Sequence, residues 1–284
     1  MKLNILIVIL GIVLQCAPKS QDVSSQLLPL LLRSASASQS STTTPLPAGL
    51  NAADTITAAP SHTGSGFCDS SKAINGIRGG GTSSGGFDVL SLNSTAGDSS
   101  PCATGGTFVT LEWAGKKVQN GTGIDFIVYE NPFWVSGNSS DTFVDPVIVE
   151  VSIDGTNFCG FAPDYTHTPE TTYSSNPSEW TAFAGRYPVL MNQETNPLDA
   201  TSIFTQSMGG GDFFDLDNLS SSNAYGTGCG TTLRNNIVAN GFTYIRLTAA
   251  SARNNPDTGA AFVKDGVSNG PDIDGVITRY AGAR

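Results

Sequence analysis

The chain has 284 residues, with 14 Lys and Arg against 24 Asp and Glu, a formal net charge of −10 and only 13% charged residues. A protein that grips a phosphate backbone needs a basic footprint, and none exists here, which argues against nucleic-acid binding. Two histidines and five cysteines, with no finger spacing among them, argue against a structural zinc site.

At the N-terminus, Lys2 supplies a positive flank, residues 5–14 are almost purely apolar, and Cys16 follows. Ten residues rise about 15 Å as a helix, whereas a bilayer core is about 30 Å thick, so this run is too short to span. It reads as a secretory leader over residues 1–15. Ile12-Val13-Leu14-Gln15-Cys16 resembles a bacterial lipobox, with Gln15 where a small residue is usual. Cys16 is therefore the expected lipidation site, carrying acyl chains of the palmitate class. Each buried CH₂ contributes about 0.8 kcal/mol, so several chains hold the protein on a membrane. The lipid membrane is thus one expected partner, and the expected location is the surface of an outer membrane.

Residues 16–62 read as the lipidated cysteine and a flexible tether. Ser, Thr, Ala and Pro dominate with no sustained period, and such composition buries too little apolar surface to offset its ordering entropy. Residues 63–284 read as one domain, all-β and jelly-roll-like, a β-sandwich with long loops. The expected strands lie at residues 87–92, 108–113, 125–130, 146–154, 158–161, 242–249 and 273–280, where alternating apolar residues run between turn clusters. Val147, Val149, Val151 and Ile153 face one way; Ile148, Glu150, Ser152 and Asp154 face the other. No helical period exceeds about two turns, and residues 163–235 read as long loops over one end. Cys68, Cys102, Cys159 and Cys229 are an even number in an oxidising compartment, which implies two disulfides. Four cysteines allow three connectivities; the sequence-nearest, Cys68 with Cys102 and Cys159 with Cys229, is the expectation.

Residues 81–85 match the nucleophile-elbow pattern, but glycine-rich flanks replace the strand and helix it requires, and only His62 or His167 could complete a triad. The acidic residues carry more. Glu130 shares a strand face with Phe126 and Val128, so it points inward and needs a partner. Asp272 and Asp274, like Asp215 and Asp217, stand two apart on an extended chain. Glu130, Asp272 and Asp274, with Asp125 assisting, are the expected ligands of a structural Ca²⁺, which takes six to eight oxygens. The alternative is that these carboxylates cap turns or pair with Arg246 or Arg279. Trp113 alternates with Val109 and Leu111 and is expected in the core. Trp134 and Trp180 lie in loops, free to stack on sugar rings.

Several segments together, residues 85–92, 123–133, 149–155, 210–216 and 272–276, resemble a family of poorly characterised bacterial cell-surface proteins that includes leptospiral surface lipoproteins. Glu130-Asn131-Pro132-Phe133 is the most specific part. The resemblance implies a surface β-sandwich and no particular reaction. The expected function is a non-catalytic binding or adhesion module for host matrix or glycan. The alternative is an envelope polysaccharide hydrolase pairing Glu130 with Asp272 or Asp274 across a groove, with the carboxylates about 5–9.5 Å apart.

Overall fold

A computed structural model describes residues 43–94, 102, 105–266 and 270–284. The leader, the lipidation site Cys16 and the tether as far as residue 42 lie outside the described residues.

Ten strands build two sheets: β1 (Asn51–Ala52), β2 (Thr55–Ala58), β3 (Leu90–Ser91), β4 (Phe108–Glu112), β5 (Phe126–Glu130), β6 (Val147–Ser152), β7 (Cys159–Gly160), β8 (Asp212–Phe214), β9 (Tyr244–Ala249) and β10 (Asp272–Thr278). The first sheet runs β1-β10-β5-β8, with β3 also on β10; the second runs β7-β6-β9-β4-β2. Every ladder between these strands is antiparallel. The all-β expectation therefore holds, and each expected strand is present in shortened form, the last beginning one residue earlier than expected, at Asp272.

The two sheets share one core. Val149 and Val151 of β6, Leu111 of β4 and Ile245 and Leu247 of β9 pack with Phe126 and Val128 of β5 and Ile273 and Val276 of β10. Trp113 joins them, as its alternation predicted, edge-on to Phe242 at 5.9 Å. The β-branched residues of β6 suit a pleated strand because their stiff side chains pack across it.

Residues 163–235 are more ordered than the sequence suggested, and they lie against sheet faces. Ile148 on the other face of β6 packs with Tyr165, Trp180, Phe183 and Phe262. Tyr165 belongs to a short ladder in which Asp164–Tyr165 pairs with Trp180–Thr181. On β5, Ile127 and Tyr129 pack with Val189, Met191, Ile203 and Ile77. β5 and β6 are consequently buried at every position. A ten-residue helix, Thr231–Asn240, escaped the sequence reading because only Ile237 along it is buried, leaving almost no apolar stripe to detect.

The expected domain boundary at residue 63 needs correction. Asn51 and Ala52 pair with Thr278 and Ile277, and β2 pairs with β4, so the tether's last part completes both sheets. Thr55-Ile56-Thr57-Ala58 carries one large apolar residue, Ile56, which packs against the core. Composition alone could not separate so short an edge strand from a linker.

Both disulfides form as expected, Cys68–Cys102 and Cys159–Cys229, closing 34 and 70 residues. The second ties β7 to the segment preceding the 231–240 helix. On the chain-entropy model each contributes about 4 kcal/mol. The variant Cys159→Ala/Cys229→Ala should therefore lose about that much in denaturant unfolding; a loss below about 1 kcal/mol would show that the closed loop is already restricted in the unfolded chain.

Candidate functional site

Of the four acids expected as ligands, Asp125, Glu130 and Asp274 are buried and Asp272 is half-buried, yet they do not form one site. β10 pairs with β5 through Ile273 opposite Glu130 and Gly275 opposite Tyr129, so Asp274 is the extra residue of a bulge. Gly275 makes this possible: its φ is +150°, and a Cβ there would stand 2.9 Å from Ile77 Cδ1. The bulge divides the carboxylates. Asp274 accepts the Arg78 backbone N–H on both oxygens, at 3.0 and 2.9 Å, and its charged neighbours are Asp88 and Arg78. Burial pushes it up to about 8. Glu130 instead accepts the Asp272 N–H on Oε1 at 2.8 Å, among the carboxylates of Asp145, Asp272 and Asp212. Burial, reinforced by those charges, lifts Glu130 well above the usual carboxylate range. Asp272 takes the Ser91 hydroxyl and is pushed to about 6 by burial.

Asp125 stands at the opposite end of the β5 segment, about 16 Å along an extended chain from Glu130. There it accepts the Gly121 N–H on Oδ1 and the Leu216 N–H on Oδ2, both at 2.7 Å. It clamps two loops and takes no part in a common acid site. Among the described residues no three His, Cys, Asp or Glu side chains stand close enough to hold a metal ion. Neither arginine considered as a partner serves these acids. Arg246 forms a fork with Glu150 at 2.9 Å on both oxygens, and Arg279 donates to the Ile124 carbonyl and stacks on Phe204. Asp215 caps the turn at Leu216–Asn218 through the Asp217 N–H, the role a turn aspartate commonly has.

The two candidate tryptophans part company. Trp180 is 0% exposed, stacked on Tyr165 at 3.8 Å between ring centres, with its indole N–H on the Ser174 carbonyl. No sugar can reach it; its ring is core. Trp134 is partly exposed in a small hairpin, pairing with Thr142. It lines a pocket of about 490 Å³ with Ser139, Tyr187, Pro188, Leu190, Gln206 and Ser207. Residues 81–85 form a loop without strand or helix, so Ser83 and Ser84 lack the elbow a nucleophile needs. His62 is buried against the Ser91 carbonyl, and His167 pairs with Glu179 at 2.9 Å. Glu130, common to both hydrolase pairings, is only 2% exposed, so a glycan could not reach it without opening the fold.

Asp212, Asp145 and Gly185 were missed from the sequence. Asp212 lies inside a segment that carried the family resemblance, after two glycines, but nothing there signals its burial. No family model matches this chain, and no curated protein and no solved structure matches it.

Asp125 gives a testable pH dependence. Burial raises it from 3.8 to about 6. The folded chain then holds that proton more tightly than the unfolded chain, so stability falls as pH rises through the window between those values. Melting curves across that window should show the slope, and it should shrink in Asp125→Asn, which cannot titrate. The variant should also lose about 2 kcal/mol, because one clamped N–H then faces an amide NH₂. An unchanged slope in the variant would remove Asp125 from the explanation.

Proposed function

We propose that the protein is a lipid-anchored surface lipoprotein whose folded part is a jelly-roll-like β-sandwich serving as a non-catalytic binding module for a glycan or host matrix protein. The anchor rests on the lipobox-like run ending at Cys16, and the surface location on the resemblance to leptospiral-type lipoproteins. The sandwich reading is supported by two five-stranded antiparallel sheets contributing to one core.

One observation carries the binding reading: the open pocket at Trp134. Its walls combine two aromatic rings, Trp134 and Tyr187, with the apolar Pro188 and Leu190 and the polar ends of Ser139 and Gln206. Mixed aromatic and amide linings suit ligands with an apolar face and a hydroxylated rim, because rings stack on one and polar groups orient the other. Tyr187 is held in place by Arg186, whose guanidinium lies 4.9 Å from the ring centre and donates to the hydroxyl at 3.2 Å. A ring fixed before binding loses little entropy on contact.

Screening the purified chain against glycans and immobilised matrix proteins should return a ligand whose affinity depends on this pocket. Trp134→Ala or Tyr187→Ala should cost at least 2 kcal/mol, about thirtyfold in Kd. Binding unaffected by both would place the ligand elsewhere and sink the reading of this pocket. Separately, Cys16→Ser should release the protein from membranes or leave an unprocessed precursor; unchanged detergent-phase partitioning would refute the anchor.

A further inference from the structure

Two buried carboxylates meet at a glycine with part of their coordinating capacity unused. Glu130 is 2% and Asp212 3% exposed. Each has one oxygen engaged: Glu130 Oε1 accepts the Asp272 N–H at 2.8 Å, and Asp212 Oδ2 accepts the Arg186 N–H at 2.9 Å. The other oxygen of each, Glu130 Oε2 and Asp212 Oδ1, is buried with no hydrogen-bond donor. Glu130 Oε2 faces the backbone at Gly185, and the Asp212 carboxylate lies against the run that Gly185 begins. A Cβ built on Gly185 would lie 3.2 Å from Glu130 Oε2 and 2.2 Å from the Asp145 carbonyl oxygen, while Asp212 takes backbone N–H groups of the same Gly185-Arg186-Tyr187 run. The glycine, at φ +87°, leaves room where any side chain would collide.

We infer that Glu130 Oε2 and Asp212 Oδ1, with the Asp145 carbonyl, hold a divalent cation of the calcium type against Gly185. The nearest cationic group, Arg186 Nε, is 3.8 Å from Asp212 Oδ1. A single guanidinium at that distance does not neutralise two carboxylates withdrawn from water, and unsatisfied buried charge is very costly. An all-oxygen donor set excludes soft-metal preference and suits a hard cation. Because no three acidic, imidazole or thiolate side chains converge among the described residues, the ion has two carboxylates, a carbonyl and water around it. Calcium tolerates such an irregular shell; magnesium demands a tighter octahedron. This site differs from the one expected from the sequence: the side chains of Asp272, Asp274 and Asp125 are outside it, and Asp212 stands in their place. The competing arrangement puts a proton on Glu130 and needs no metal.

The test uses the purified full-length chain in detergent after stripping metal. Calcium at a hundredfold excess over its Kd should raise the melting temperature by about 5–10 °C, saturably, with one site by calorimetric titration and a smaller response to magnesium. Glu130→Gln and Asp212→Asn should each abolish the response. Asp274→Asn, an equally buried acid clamped on Arg78, should keep it. No calcium heat and no shift in the wild-type chain would overturn the inference in favour of the protonated pair, as would a response that survives both Glu130→Gln and Asp212→Asn. Should neither of those variants fold, native mass spectrometry of the wild type decides: one retained calcium per chain supports the site, and none overturns it.

Discussion

One inner strand of each sheet, β5 in the first and β6 in the second, has no face toward water, and most of what is unusual in this molecule follows from that constraint. β5 and β6 are buried at every position, yet their sequences carry Glu130 and Glu150, and Asp125 immediately precedes β5. A buried polar group must find partners inside the protein or it costs the fold several kcal/mol. The chain meets this demand in two ways. Glu150 receives a guanidinium fork from Arg246 and a second guanidinium from Arg253. Asp125, Glu130, Asp212 and Asp274 instead accept backbone N–H groups from segments distant in sequence. Each carboxylate is therefore also a clasp: it pins the distant segment whose amide it accepts. The covering segments at 75–80 and 185–216 are anchored this way, with little regular structure of their own.

That division explains what was legible in the sequence. Strands with strict alternation, such as Val147-Ile148-Val149-Glu150-Val151, announced themselves, since period two and β-branching are local properties. Disulfide pairing by nearest neighbour also held. Glu130 was recognisable as an inward carboxylate from its face alone. Its company was not, because Asp212 and Asp145 reach it only through the tertiary path of the covering segments. Asp274 was grouped with Asp272 on the assumption of an uninterrupted strand, and the bulge at Gly275 separates the two. Trp180 looked free because its segment lacks periodicity, while its burial depends on a two-residue ladder that brings Tyr165 onto its ring.

The run from Gly185 to Pro188 joins two environments of opposite character. At its start, Gly185 and Arg186 lie on the buried carboxylates of Glu130 and Asp212; at its end, Tyr187 and Pro188 line the open pocket with Trp134. Arg186 spans both, since its backbone N–H serves Asp212 and its guanidinium holds the Tyr187 ring. The position of a half-buried aromatic side chain, Tyr187, thus depends on how charge is balanced one residue away in the interior. Pocket rings carried by an unanchored loop would have to be ordered by the ligand, at a cost in affinity; these are ordered by the fold.

Glu150 and Arg246 do more than satisfy each other. They stand directly opposite in the β6–β9 register, with Arg246 also packed over the Phe158 ring at 4.0 Å. Burying such a pair brings little net stability, because desolvating two ions offsets most of their attraction. Register is a different matter. β6 is apolar on both faces, with Val149 turned to the shared core and Ile148 to the outer cluster. A shift by one residue would still bury valine and isoleucine on each side, so hydrophobicity penalises it weakly, although a slip moves every side chain to the other face. The same slip would carry Glu150 into the core and leave Arg246 facing apolar side chains, two uncompensated charges at once. The ion pair therefore acts mainly against wrong pairings of these two strands, and a cost that adds little to the native state becomes the term that makes it unique.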